Sequence, residues 1–176
     1  MLSVDVMKID LWQAGRDLDG IARVLHDCVH GGASVSFVVP FTMEEARAYW
    51  REKVMPGAWA GTRRVLVARL DGEIAGTVQV DLATPANQRH RAEVSKLLVH
   101  PDSRRRGLGR ALMVAVEGQA RVAGRTLLTL DTRTGDAAEA LYLSLGYKLA
   151  GVIPGYARGP GSGQLESTSF MYKKLA

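Results

Sequence analysis

At 176 residues the chain has the length of one ordinary domain with a core of its own, and a single domain over residues 1–176 is expected. With 47% hydrophobic residues, 23% charged residues and one cysteine, Cys28, it is not a disordered, collagen-like or disulfide-scaffold sequence, and a reducing, cytoplasmic setting suits it. The net charge of +5 is local: Pro101 to Arg125 holds six arginines against Asp102 and Glu117, a net +4, which points to a compact anion rather than to nucleic acid.

No apolar run is long enough to cross a bilayer, so no membrane partner is expected, and the charged opening Met1 to Asp10 does not read as a secretory leader. The first strand is predicted over Val4 to Leu11. A helix follows from Asp17 to His30, with Leu18, Ile21, Ala22, Leu25, Cys28 and Val29 on one face, stopped by Gly31-Gly32. Thr42 with Glu45 three residues on forms a capping box that opens a second helix to about Val54. Val65 to Leu70 and Ile74 to Leu82 read as strands joined by an Asp71-Gly72 hairpin turn.

Glu93 to Val99 is the next strand, ended by Pro101. A helix is predicted from Leu108 to Val122 and a short buried strand from Thr126 to Leu130, with Asp131 just past its end. Asp136 and Glu139 cap a helix that stops at Gly146. The last strands are Tyr147 to Pro154 and Ser167 to Lys173, around a glycine- and proline-rich loop, Gly155 to Glu166. Hairpins with one crossover give an α+β class with a mixed, mostly antiparallel sheet of about seven strands and about four helices.

The most informative stretch is Arg104-Arg105-Arg106-Gly107-Leu108-Gly109-Arg110, between a strand end and a helix start. Free N–H groups and the helix dipole make such a start an anion site. The two glycines admit close backbone approach, and the arginines add charge-assisted contacts to phosphate. A dinucleotide-binding turn is the competing reading. Leu112 stands where its third glycine belongs, and the turn after Val99 is too long for it.

Arg104-x-x-Gly107-x-Gly109, after Lys96-Leu97-Leu98-Val99-His100-Pro101, resembles the acetyl-CoA loop of the GNAT N-acetyltransferases, and Leu141-Tyr142-x-x-Leu145-Gly146-Tyr147 is similar to a later segment of that family. Val29 to Phe37, Arg91 to Leu97 and Leu130-Asp131-Thr132 resemble its tabtoxin-resistance type. The resemblance implies the GNAT fold and acetyl transfer from acetyl-CoA to the amino group of a small molecule. An amino-acid-like toxin, antibiotic or metabolite would be the acceptor, in a resistance or detoxifying role. It implies that the pantetheine arm pairs with Leu97, Leu98 and Val99. Arg104, Arg105, Arg106, Gly107, Leu108, Gly109 and Arg110 would hold the pyrophosphate.

It further implies Glu93 and Asp131 as carboxylates that take the amine's proton through water, and Tyr142 as proton donor to the departing thiolate. From the residues alone, Glu93 also reads as a surface strand end, Asp131 as a turn cap and Tyr142 as a core aromatic. Glu93 lies about six residues before Val99, roughly 20 Å along a strand, so sequence does not bring the two carboxylates together. A backbone N–H within Leu97 to Val99 is a candidate donor to the thioester oxygen, if a bulge frees it. Ser34, Phe37 and Tyr156 are candidate acceptor-binding residues. The four histidines are scattered, so no metal is expected. A peptide or protein acetyltransferase, a non-enzymatic acyl-CoA module and a nucleic-acid binder are the rival readings, and a homodimer is left open.

Overall fold

The computed structural model describes residues 4–9 and 14–175, and the predicted end of the first strand near Leu11 lies outside them. Seven strands form one sheet in the order β1-β2-β3-β4-β5-β7-β6. They are β1 (Val4–Lys8), β2 (Arg63–Leu70), β3 (Glu73–Asp81), β4 (Arg91–Val99), β5 (Leu127–Arg133), β6 (Lys148–Arg158) and β7 (Leu165–Lys174). Every neighbouring pair is antiparallel except β4 and β5. The expected α+β class, with its mixed and mostly antiparallel sheet, is the one observed.

Helix α1 (Ala14–His30) ends where Gly32 turns left-handed, at φ +86°. Thr42 and Glu45 form the expected capping box at the start of α2 (Met43–Ala48). The helical path does not stop at Val54. It continues through a π-helical segment, Tyr49–Val54, into α3 (Met55–Trp59). Helix α4 (Leu108–Val122) and helix α5 (Ala137–Ser144) follow, so among the described residues four helical bodies flank the sheet. Among the described residues no helix is long and apolar enough to cross a membrane.

One face of the sheet packs against α4, through Leu112, Met113, Val116 and Ala120. The other packs against α1 and the α2–α3 arm, through Ile21, Leu25, Trp50 and Val54. Strand β2 serves both faces by simple alternation, with Leu66 and Ala68 on the α4 side and Val65 and Val67 on the α1 side.

Strand β4 does not alternate throughout. Thr77 of β3 faces Leu98 and Gln79 faces Ser95, so Lys96 and Leu97 together oppose Val78. This β-bulge holds Lys96 at φ +53° and reverses the parity of the strand. Ala92 and Val94 pack on the α4 side, whereas Leu98 packs on the α1 side.

Two boundaries differ from those predicted. Strand β5 runs on to Arg133, so Asp131 lies within it, held by pairing with Phe170 of β7. Half of the segment predicted as a loop over Gly155 to Glu166 is strand, and 159–164 remain outside β6 and β7. Pro154 and Gly155 looked like breakers, but β6 is an edge strand. A register shift between Ile153 and Ala157 absorbs them, and a missing N–H there costs no ladder bond on the outer side.

Candidate active site

The parallel pair β4–β5 is short. Only Arg91, Ala92 and Glu93 pair with Leu127, Leu128 and Thr129. Beyond Glu93 the two strands part, and a cleft of about 470 Å³ lies between them. Val94 to Val99 form one wall and Asp131 to Arg133 the other. The start of α4, the start of α5 and the loop from Gly31 to Val35 complete the lining. The splay leaves the inner edge of β4 without a strand partner over these residues.

The cleft opens onto the arginine-rich loop. Gly107 is the N-cap of α4 at φ +82°, and Arg105 is also left-handed at φ +63°. A Cβ on Gly107 would meet nothing within 4 Å, so that side of the loop is open to a ligand. Ala111 makes the first backbone hydrogen bond back to Gly107, and the N–H groups that precede it at a helix start have no partner within the helix. Arg104 Nε donates to the Val99 carbonyl at 3.3 Å. Arg110 donates to Ser144 Oγ at 2.8 Å, tying the start of α4 to the end of α5. Gly109 is needed for packing, since a Cβ there would stand 3.1 Å from Leu141 Cδ2.

Behind this loop His100 is braced. Its Nδ1 accepts from the Asp102 N–H, so Nε2 carries the proton and meets Asp27 Oδ2 at 3.0 Å. His26 meets the other Asp27 oxygen at 2.7 Å. Burial works to raise the Asp27 pKa, but the two histidine hydrogen bonds outweigh it and hold the carboxyl below its usual range. Cys28 is buried, as expected of a core thiol, and donates to the Val99 carbonyl at 3.3 Å. Burial above all pushes its pKa up, so it stays a neutral thiol on the cleft wall.

Asp131 lines the cleft; Glu93 does not. Glu93 sits on the last paired rung opposite Thr129, 3.6 Å from the Arg91 guanidinium. The pairing nevertheless relates the two carboxylates. Leu128 and Leu130 of β5 face α4, so Thr129 and Asp131 face the other way, as does Glu93 between Ala92 and Val94. Tyr142 is buried against Tyr147, with ring centroids 5.7 Å apart, and also lines the cleft. Burial first, then the charges of Asp131 and Asp136, raise its pKa far above the usual value of 10.0, so it carries its proton at every physiological pH.

The other candidates divide. Leu97, Leu98, Val99, Arg104, Arg105, Gly107, Leu108, Gly109, Arg110 and Ser34 line the cleft. Arg106 is exposed outside it, between the two left-handed residues that turn the loop. Phe37 packs on Phe41 and Tyr49, a layer behind the wall. Tyr156 of β6 meets Phe170 of β7 edge-to-face and is outside the lining, because its segment is an edge strand rather than a covering loop.

Two cleft residues were not singled out by sequence reasoning. Arg133 donates to the Gly32 carbonyl, Asp136 and Glu166, and so joins three segments beside the cleft. Lys96 projects from the bulge to Ser36 Oγ at 3.3 Å. Nothing local in Thr132-Arg133-Thr134 or Ser95-Lys96-Leu97 signals either contact.

A sheet that splays beside the N-terminus of a helix capped by an arginine- and glycine-rich loop agrees with the fold that the sequence resemblance implied. The sequence matches the acetyltransferase (GNAT) family over residues 33–147. It is 38% identical over 138 residues to an uncharacterized N-acetyltransferase in the hisH-hisA intergenic region of Azospirillum brasilense, covering 76% of this chain and 77% of that protein. The fold superposes on a ribosomal-protein-alanine N-acetyltransferase from Brucella melitensis with a TM-score of 0.80 and 23% identity, covering 97% and 99% of the two chains. It also superposes on yncA from Salmonella typhimurium, solved with its cofactor acetyl-CoA, with a TM-score of 0.79 and 22% identity, covering 98% and 94%. The chain belongs to the GNAT acetyltransferase family.

Proposed function

We propose that the protein transfers an acetyl group from acetyl-CoA to the amine of a small molecule, of the amino-acid-like kind suggested by its resemblance to the tabtoxin-resistance type. The observation that carries this reading is the parting of β4 and β5 directly above the open N-terminus of α4. A diphosphate-bearing thioester suits both parts. The helix start and Arg104 to Arg110 offer donors and positive charge to phosphate, and the open space at Gly107 leaves room for it. The unpaired edge of β4 along Leu97 to Val99 offers backbone groups to an extended arm, as a strand edge does to a peptide.

Acetyl-CoA would supply an activated acyl group, and the chain's own residues would do the rest. Holding amine and thioester in one cleft removes the cost of a bimolecular encounter. Asp131 takes the ammonium proton, directly or through water, with Glu93 as a second carboxylate on the same face. A backbone N–H freed by the bulge, within Leu97 to Val99, faces the charge that develops on the thioester oxygen. Tyr142, kept protonated by burial, returns a proton to the departing sulfur. Ser34 lies on the acceptor side of the wall.

The peptide acetyltransferase reading gains no support from the segment 155–166, since none of its residues lines the cleft. A homodimer is favoured by edge strand β6, which exposes Leu149 and Val152 on one face and Ile153 on the other beside an unpaired outer edge, and sedimentation would read it. The test of the function is calorimetric titration with acetyl-CoA, followed by thiol release with a panel of amines and peptides. Saturable binding with turnover on small amines supports the reading. Absence of binding, or turnover confined to peptides, overturns it.

A further inference from the structure

Two non-glycine residues in left-handed backbone, Lys96 at φ +53° on the cleft wall and Ser36 at φ +77° just outside the lining, touch each other. Such conformations are strained and persist where the surrounding structure enforces them, often at ligand sites. The bulge turns the Lys96 side chain from the β4 wall toward the loop that carries Ser36, and its ammonium stands 5.8 Å from the centre of the Tyr49 ring. Thr77 Oγ1 fixes the bulge by donating to the Lys96 carbonyl at 3.2 Å.

The cations around it are already engaged. Arg133 pairs with Asp136 and Glu166, and Arg63 pairs with Asp81. Arg91 binds Gln88 and Thr129 and lies beside Glu93. Lys96 makes no ion pair among the described residues. Its three N–H donors meet one hydroxyl and one ring face. Half-buried and without a carboxylate partner, it is held in a state that an incoming anion would relieve.

We propose that Lys96 is the anchor for a carboxylate on the acceptor, so that the cleft selects amines that also bear an acid group. The proposal rests on the acetyl-transfer reading above. Asp131 on the facing wall receives the ammonium end, and Lys96 on the β4 wall receives the acid end. The charges around Lys96 fit this division. Burial first, then Arg63, lower its pKa, while Asp131 and Glu93 oppose that shift without pairing with it. A carboxylate bound there stands on the β4 side, next to Ser36 and Tyr49 and away from the anion loop.

Conjugates of CoA carry the test, because they need no knowledge of the natural acceptor. In each, the CoA sulfur is joined through an acetamide to glycine, β-alanine or 4-aminobutyrate, and each acid is matched with its terminal amide. Titration calorimetry compares wild type with Lys96→Met. Wild type is expected to bind at least one acid about tenfold or more tightly than its amide, the worth of one charge-assisted hydrogen bond. Lys96→Met is expected to bind acid and amide alike while binding CoA itself as wild type does.

No preference for any acid in wild type overturns the proposal, as does a preference that survives in Lys96→Met. If Lys96→Met fails to bind CoA, Lys96→Gln replaces it; if both fail, Lys96 is needed for CoA binding itself and the proposal is overturned. If wild type binds neither CoA nor any conjugate, the acetyl-transfer reading itself falls. CoA binding without an acid preference removes only the role of Lys96.

Discussion

Asp131 stands two residues beyond Thr129, the residue that Glu93 faces on the last paired rung of β4 and β5, and both carboxylates point away from α4. At the usual strand rise and spacing, two residues along and one strand across is roughly 8 Å, close enough for one ordered water chain to serve both. Asp131 borders the cleft and Glu93 stands behind it at the apex of the splay.

Asp131→Asn is therefore expected to lower kcat by about 100-fold, the usual loss of a general base, with acetyl-CoA affinity unchanged. Glu93→Gln should cost less, and the double variant less than the product of the two, because in the proposed mechanism the groups act on one proton. Thiol-release kinetics with a turned-over amine, beside calorimetry for acetyl-CoA, check this. An unchanged rate in Asp131→Asn would leave that residue as a strand position only.

Tyr142→Phe should lower kcat and keep the fold, since the ring stays packed against Tyr147. The same tyrosine predicts a pH effect on stability. Its folded pKa is raised above the unfolded value near 10.0, so its contribution is complete below pH 10 and is lost as pH rises further. Thermal melts should show Tm falling above about pH 10 in wild type, and falling less in Tyr142→Phe. Equal slopes would mean that Tyr142 does not carry the effect.

Gly107→Asp should weaken acetyl-CoA binding by tenfold or more, on the order of one lost phosphate contact plus repulsion. The cause is charge and backbone strain at φ +82°, since a side chain there meets open space. Gly109→Asp should lose binding and also stability, because its Cβ presses on Leu141. A Gly107→Asp protein with normal affinity would show that the phosphates lie elsewhere.

Gly76→Ala tests the strand that carries the bulge. A Cβ at that position would stand 2.9 Å from the Leu98 carbonyl and 3.0 Å from Leu112 Cδ1. Backbone on one side and a fully buried side chain on the other leave little room to shift. The expected loss is about 1–3 kcal/mol in urea unfolding, as for other overpacked cores. A loss under about 0.5 kcal/mol would mean that β4 moves more easily than its packing suggests.

Much of this was legible in the sequence because its signals are local. Asp71-Gly72, Gly32 and Gly146 mark turns by needing left-handed backbone, and each turn lies where predicted. Thr42 with Glu45 starts its helix, and the Leu108–Val122 helix has the predicted bounds. The Arg104 to Gly109 pattern pointed to a phosphate-sized anion from charge and glycine spacing alone. Gly155 to Glu166 misled because the same residue types that break a central strand are tolerated on an edge strand.

What only the tertiary structure decided is where two strands cease to pair. Parallel pairing of β4 with β5 stops at Glu93, and a bulge at Lys96 reverses the faces of the residues beyond it. Both depend on contacts between segments far apart in the chain, with Thr77, Ser36 and Thr129 as partners. Sequence determined most of the elements, the cationic loop and the family; register and splay, set by these distant partners, made a cleft of them and put on its wall a lysine with no ion pair among the described residues.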